Sequence, residues 1–421
     1  MPFNFVHTAD VHLDSPVRSL ALLNPDLAEL IGDATRLAFE RTIDLCLDER
    51  VDALMIAGDL YDGDQTSMKT ALFLAAQLQR LTEAGIRTFI VRGNHDAQSR
   101  ITRELTFPDG VKVFGGRAET VELDHDRGTM PVAIHGISFA RPHAPESLVP
   151  RFRSPVPDTF NIGLLHTSLA GSAEHDDYAP CSIADLVGTG FDYWCLGHLH
   201  KREVHSREPF IVMPGMPQGR DIGEAGPKSV TLVRVADDGA IDCHPHTTSV
   251  AQFERIQIDL TGVSDQRAMV DRIAAGLTDA RTAAQSDHLV VRLKMRGETE
   301  LAWRLRRDPE LVRAEALHRA ELIGQTWIEK IALEVTAPGD PTIGPIGEVA
   351  DTIRSKIAPS DSFRRSALEV LDEIEKALPP AARDVFGDSE EKRNEILDQL
   401  IEEGCQTVLA HLQETRADGA D

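Results

Sequence analysis

The stretch Phe5-Val6-His7-Thr8-Ala9-Asp10-Val11-His12 reads as an apolar strand running into two side chains that can ligate a metal. The same pattern returns along the chain. GlyAsp follows an apolar run at 58–59, GlyAsnHisAsp stands at 93–96, His166 ends a further run, and GlyHisLeuHis follows another at 197–200. A strand end suits such residues, because the backbone is fixed while the side chain projects into the cleft beyond the sheet. The donors are hard oxygens and imidazoles with no thiolate, which fits two divalent ions and a phosphate ester better than a structural zinc.

Outward from these runs, the first 250 or so residues alternate short apolar runs with helical periodicity, as an α/β protein does. The predicted strands are 3–7, 53–57, 88–91, 132–137, 161–165, 193–196 and 210–213, with helices over 33–49 and 67–84. AspAspGly at 237–239 sits between two β-rich runs and predicts a hairpin. The expected core is a two-layer β-sandwich flanked by helices, over residues 1–250. A small α+β capping domain is expected over 251–337, with strands at 288–295 and 327–335 and one helical stretch over 301–322. A helical C-terminal region follows over 338–421. There, Phe363, Ala367, Leu371, Ile374 and Leu378 form one apolar stripe, and Ile396, Leu397, Leu400, Ile401, Val408, Leu409 and Leu412 another.

Composition narrows the function classes. The chain has 421 residues, 44 basic against 68 acidic, and a net charge of −24, which counts against tight DNA binding by the chain alone. Five scattered cysteines with no CxxC pair argue against a disulfide framework or a cysteine zinc site. No apolar run approaches a membrane span and no signal peptide opens the chain, so a cytoplasmic protein is expected.

On an extended segment alternate residues point the same way, so Asp10 and His12 can grip one ion together. His198 and His200 share that spacing, although a loop there could divide them between two ions. Asp59 can bridge two cations, and Asn94 adds a neutral oxygen. His95, next to Asn94, is free to face the substrate as a proton donor to the leaving oxygen, with Asp96 able to orient it. Two ions close together polarise a phosphate and lower the pKa of a bridging water to give hydroxide. Arg220 could reach a substrate phosphate, or equally could fix a loop as a salt bridge. His175 and Tyr178 could line the cleft, whereas His135 reads as a satisfied structural histidine. Leu72, Leu74, Leu78 and Leu81 read as core.

This ordered set resembles the calcineurin-like metallophosphoesterases. AlaAspValHisLeuAspSerPro at 9–16, AlaGlyAspLeuTyrAsp at 57–62, ArgGlyAsnHisAsp at 92–96 and LeuLeuHisThr at 164–167 resemble the SbcD-type DNA-repair nucleases. AspTyrAlaProCysSer at 177–182, the run at 192–200 and ProGlyMetProGlnGlyArg at 214–220 look like the bacterial YhaO branch, as do Val11 and Asp14 where SbcD proteins typically have Trp and Gly. The resemblance implies one ion held by Asp10, His12, Asp59 and His200 and a second by Asp59, Asn94, His166 and His198, with His95 catalytic and manganese the usual metal. It further implies an exonuclease or endonuclease subunit acting in DNA repair, a homodimer through helices near 67–84, and a coiled-coil ATPase partner of the SMC-like type. The alternative is a phosphodiesterase or phosphatase for small nucleotides at the same dinuclear site, which the acidic charge favours. A metal-free scaffold is a third reading.

Overall fold

A computed structural model describes residues 2–15, 25–62, 67–98, 107–123, 131–169, 178–338, 345–378, 386 and 389–417. The chain forms two compact units, one of Met1–Pro16, Glu29–Phe253 and Ala284–His288, the other of Val17–Ala28, Glu254–Ala283 and Leu289–Asp421.

The first unit is built on two six-stranded sheets. Its strands are β1 (Phe3–Thr8), β2 (Ala53–Ala57), β3 (Arg87–Val91), β4 (Val111–Val113), β5 (Glu119–Leu123), β6 (Val132–Gly136), β7 (Phe160–His166), β8 (Tyr193–Gly197), β9 (Glu203–Arg207), β10 (Phe210–Met213), β11 (Ser229–Val235) and β12 (Ile241–Thr247). One sheet has the order β12-β11-β1-β2-β3-β4 and the other β5-β6-β7-β8-β10-β9. Within them β1, β2, β3 and β4 run parallel, as do β6, β7, β8 and β10. Parallel strands are covered on both faces and read as near-continuous apolar runs, which is why all of these but β4 are visible in the sequence. Phe5, Met55, Phe89, Ile162, Leu164 and Tyr193 meet in the core that both sheets share. Their strand neighbours Val6, Leu54, Ile56 and Ile90 turn to the opposite face, against α1 (Pro25–Asp48) and α2 (Met68–Glu83). The hairpin of β11 and β12 forms in the expected register about 237–239.

Several expectations need correction. α1 starts at Pro25, earlier than its periodicity indicated, since proline suits the first turn of a helix. β4, β5 and β9 were missed because VKV, ETVEL and EVHSR are short and each is interrupted by charged residues. On α2, Leu74, Leu78 and Leu81 are fully buried, but Leu72 is 61% exposed, one position off their face.

His7 is buried on β1 between the Tyr193 hydroxyl (3.3 Å) and the Leu196 carbonyl (3.0 Å). Burial pulls its pKa down to about 3, against a partial opposing pull from that carbonyl. Between pH 6.5 and 3 the unfolded chain therefore binds a proton that the folded chain refuses, so stability falls on acidification through that window. From pH 6.5 to 5 the loss is roughly 2 kcal/mol. Urea denaturation of His7→Gln should show a shallower fall than the parent over this range; equal slopes would refute the assignment.

The second unit contains a three-stranded sheet in the order β13-β14-β15, from β13 (Ala251–Asp259), β14 (His288–Glu298) and β15 (Thr326–Thr336). The helices are α5 (Gln266–Ala283), α6 (Ala302–Arg307) and α7 (Pro309–Ile323), where labels α3 and α4 belong to Asn94–Gln98 and Ile183–Val187 of the first unit. The single helix expected over 301–322 is two, since Pro309 opens a new one. α8 (Pro345–Thr352), α9 (Asp361–Ala377) and α10 (Glu390–Ala417) complete the unit. Half of the 336–341 linker and the 379–380 stop signal lie outside the described residues. No described helix is long and apolar enough to cross a membrane.

Candidate metal centre

The ligand-type residues lie at or just beyond the carboxyl ends of β1, β2, β3, β7 and β8, with His166 the last residue of β7. In the first loop the expectation of an extended, pleated pair is overturned. The strand stops at Thr8, and Asp10 (φ +52°), His12 (φ +46°) and Asp14 (φ +58°) adopt left-handed backbone. Asp59 (φ +52°) and His198 (φ +113°) are likewise on the positive side. Each such residue costs on the order of 1 kcal/mol or more and persists where the surroundings over-determine it, commonly at functional sites. Cross-loop hydrogen bonds supply that constraint here: Asp10 N–H to Gly58 O (3.0 Å), His12 N–H to Asp59 O (3.0 Å) and Leu13 N–H to Leu60 O (2.9 Å). Asp10 and His12 still converge, through two turned residues instead of a pleat.

Two clusters of the expected ligands result, with Asp10 in both: Asp10, His12 and His200 place ligand atoms within 4.8 Å of one another, as do Asp10, Asp59 and His166. His12, Asp62 and His95 lie equally close to one another at the rim. His12 Nε2 lies 3.3 Å from His200 Nε2. His166 Nε2 lies 3.1 Å from Asn94 Oδ1, 3.3 Å from His198 Nδ1 and 3.4 Å from Asp59 Oδ2. His198 and His200 thus divide between the clusters. Asp59 Oδ1 also accepts the His95 amide at 3.1 Å, and a side chain at Gly93 would place its Cβ 2.1 Å from that oxygen.

These residues fit divalent cations. His166 Nδ1–H donates to the Ala57 carbonyl (3.0 Å) and His200 Nδ1–H to Glu224 Oε1 (2.7 Å), so each ring turns its Nε2 inward, where a cation could take the place of a proton. A ligating histidine is held in this way by a carbonyl or carboxylate on its other nitrogen. Facing imidazole nitrogens at 3.3 Å suit a cation between them as well as a shared proton, and buried His12 Nδ1 has no hydrogen-bond partner.

The electrostatics agree. Burial, aided by the Arg220 charge, holds the His12 pKa well below its ordinary value, which keeps the ring in the ligating form. Burial raises the Asp10 pKa. Burial would also raise that of Asp59, but the nearby His166 more than reverses it, and Asp59 stays ionised. For His166 burial is outweighed by Asp59, and its pKa rises to about 9.

His95 sits at the edge of this centre with its side chain 40% accessible and its ring 5.1 Å, edge to face, from that of His12. Its partner is a residue that the sequence did not single out: Asp62 Oδ1 lies 3.0 Å from His95 Nδ1. That hydrogen bond raises the His95 pKa, and the same contact lowers that of Asp62. Asp96 has another task than the one expected. Its carboxylate accepts the amides of Tyr61 and Gly93, both at 3.1 Å, and thereby pins the two ligand loops together. Burial, then Asp59, raises its pKa to about 6.

For Arg220 the loop-fixing alternative is the observed one. Its guanidinium meets Glu224 at 2.6 Å, Ser15 Oγ at 3.3 Å and Asp62 Oδ2 at 3.8 Å. Glu224, also missed from sequence, links His200 to this arginine. Burial would raise its pKa, but the His200 and Arg220 hydrogen bonds hold it below the usual carboxylate range. Removing such a partner typically weakens metal binding 10–100-fold. Calorimetric Mn²⁺ titration of Glu224→Gln should show one site weakened by about that factor. Tyr178 packs its ring 5.4 Å from that of His198, whereas His175 lies outside the described residues. His135 is satisfied by Thr120 and Asn161 and stacks on Phe191 at 4.3 Å.

A sequence model of the calcineurin-like phosphoesterases matches residues 3–202, which span every one of these ligand-type residues. A second, for the middle domain of metallophosphoesterase YhaO, matches residues 253–336. An uncharacterized metallophosphoesterase YhaO of Bacillus subtilis is 33% identical over 294 residues, 70% of this chain and 71% of that one. The chain belongs to the calcineurin-like metallophosphoesterases. It is therefore an enzyme of the class that hydrolyses phosphoesters at a dinuclear metal site. More distant relatives include a DNA double-strand break repair protein Mre11 of Sulfurisphaera tokodaii, 27% identical over 47% of this metallophosphoesterase and 49% of the relative. One subunit of the nuclease SbcCD of Bacillus subtilis is 24% identical over 54% and 65% respectively.

Proposed function

We propose that this metallophosphoesterase is a manganese-dependent DNA nuclease subunit that cleaves backbone phosphodiesters in DNA repair. The observation that carries the reading is the convergence of Asp10, His12, Asp59 and His200 beside Asn94, His166 and His198, with His95 held against Asp62 at the rim. The similarity to Mre11 and to the SbcCD nuclease supports DNA as the substrate.

Asp10, His12, Asp59 and His200 would hold one ion, and Asp59, Asn94, His166 and His198 the other. Bound there, two ions would polarise the phosphate and lower the pKa of water. The chain's own residues do the rest. The Ala57 carbonyl and Glu224 fix the rings of His166 and His200, and buried Asp59 keeps its charge between the clusters. His95 pairs with Asp62 through Nδ1, which leaves Nε2 to donate a proton to the leaving oxygen.

The reading includes an SMC-like coiled-coil ATPase partner. The two apolar stripes of α9 and α10 support it by lining an open groove of about 630 Å³, with Phe363, Ile374 and Leu400 exposed, in the manner of helix-in-groove docking. A homodimer through α2, which exposes Met68 and Leu72, and a cytoplasmic location belong to the same proposal. So does a division at about 250 and 337 into catalytic, capping and docking regions.

One observation favours hydrolysis of a small nucleotide instead: the net charge of −24, which gives little basic surface for a long strand. A panel of DNA, cyclic nucleotides and an aryl phosphodiester separates the two. DNA cleavage, alone or with the ATPase, is the expected result. Preference for the small substrates by orders of magnitude in kcat/KM would favour the second reading.

A further inference from the structure

Beside the metal centre lies a cleft of about 320 Å³, lined in part by Phe139, Ala140, Arg141, His143, Pro145 and Leu148. Its floor is tied to the catalytic loop. Phe139 N–H donates to the Arg92 carbonyl (3.0 Å) and Arg92 N–H to Ser138 Oγ (2.9 Å), immediately before Gly93-Asn94-His95. The Phe139 ring stands edge-on to that of His166, with centroids 5.6 Å apart. On the far side His143 meets Tyr178 at 6.3 Å, and Tyr178 meets His198 at 5.4 Å. The cleft is therefore separated from the His166–His198 cluster by single aromatic rings.

Its chemistry is mixed in an informative way. Phe139, Ala140, Pro145 and Leu148 supply apolar surface, as a base requires. The volume accommodates one nucleoside and excludes a duplex. Of the charged residues in the lining, Arg151 is paired with Glu146 at 3.3 Å, whereas exposed Arg141 makes no hydrogen bond or ion pair among the described residues. In a protein of net charge −24, an uncommitted guanidinium at the mouth of such a cleft is a ready partner for one phosphate.

We propose that this cleft seats the nucleoside adjoining the scissile phosphate, with Arg141 on the next phosphate of the strand. The inference rests on the nuclease reading and deepens it: the substrate is recognised as an unpaired nucleotide carrying a second, flanking phosphate.

The test compares two substrates on the Mn²⁺-loaded protein: the dinucleotide pTpT, which has a base and a flanking phosphate, and bis(p-nitrophenyl) phosphate, which has neither. In Arg141→Ala the ratio of kcat/KM for pTpT over the aryl ester should fall about tenfold, the scale of one charge-assisted contact, and Arg141→Lys should restore part of it. Metal-free protein should bind pTpT more tightly than inorganic phosphate, and Arg141→Ala should narrow that difference. An unchanged ratio in an enzyme that cleaves DNA would overturn the cleft assignment alone. A parent protein that turns over the aryl ester, yet neither binds nor cleaves pTpT, would overturn the nuclease reading with it.

Discussion

Asp59→Asn should take up at most one Mn²⁺ per chain where the parent takes two, and its kcat on a phosphodiester should fall by on the order of 10³-fold or more. The size of the effect follows from where the carboxylate sits. One oxygen is 3.4 Å from His166 Nε2 and the other accepts the His95 amide at 3.1 Å, so a single residue stands in one cluster and beside the acid, and its charge also acts on His12 of the other cluster. Asparagine keeps the volume and one oxygen but loses the charge that two cations would share. It also leaves His166 without the charge that lifts its pKa to about 9. The fold should survive, with thermal unfolding of the metal-free variant close to that of the parent. Mass-spectrometric metal analysis alongside single-turnover kinetics reads both consequences. Two tightly bound ions together with near-normal turnover would remove Asp59 from the bridging role.

The second large effect concerns proton delivery. His95→Gln should lower kcat on DNA roughly 10²–10⁴-fold, the range for loss of a general acid. Two ions should remain bound, because His95 stands outside both ligand clusters. The loss should be much smaller on bis(p-nitrophenyl) phosphate, whose leaving group needs no proton. Asp62→Asn acts on the same step through pH. Asp62 raises the His95 pKa, so the protonated acid is present below that pKa and disappears as pH rises through it. Without Asp62 the pKa falls back towards the ordinary value, and the alkaline limb of the rate profile should move to lower pH. A profile that does not move would mean that Asp62 only shapes the loop.

Most of this site was legible because its donors are rare types in fixed places. Imidazoles and carboxylates after apolar runs stand out, and the strands that carry them are buried on both faces and so read clearly. Two partners were not legible. Asp62 and Glu224 are ordinary acidic residues in an acidic chain, and they acquire meaning only when the fold brings Asp62 to His95, 33 positions on, and Glu224 to His200, 24 positions back. Asp96 was misread because adjacency in sequence suggested His95, whereas the turn directs its carboxylate to the backbone of Tyr61 and Gly93. The left-handed conformation of Asp10 and His12 leaves no mark in residue type, since neither is glycine. Leu72 shows the same limit on a helix, where one position decides between core and surface.

The proposed function rests on a dinuclear centre that cuts DNA. Its most direct test is cleavage of an end-labelled single-stranded oligonucleotide, with the proposed ATPase partner present, as metal-free protein is titrated with Mn²⁺. No cleavage is expected before metal is added, and the rate should rise to its plateau at two Mn²⁺ per chain. Protein that binds two ions and hydrolyses an aryl phosphate ester, yet leaves the oligonucleotide intact, would contradict it.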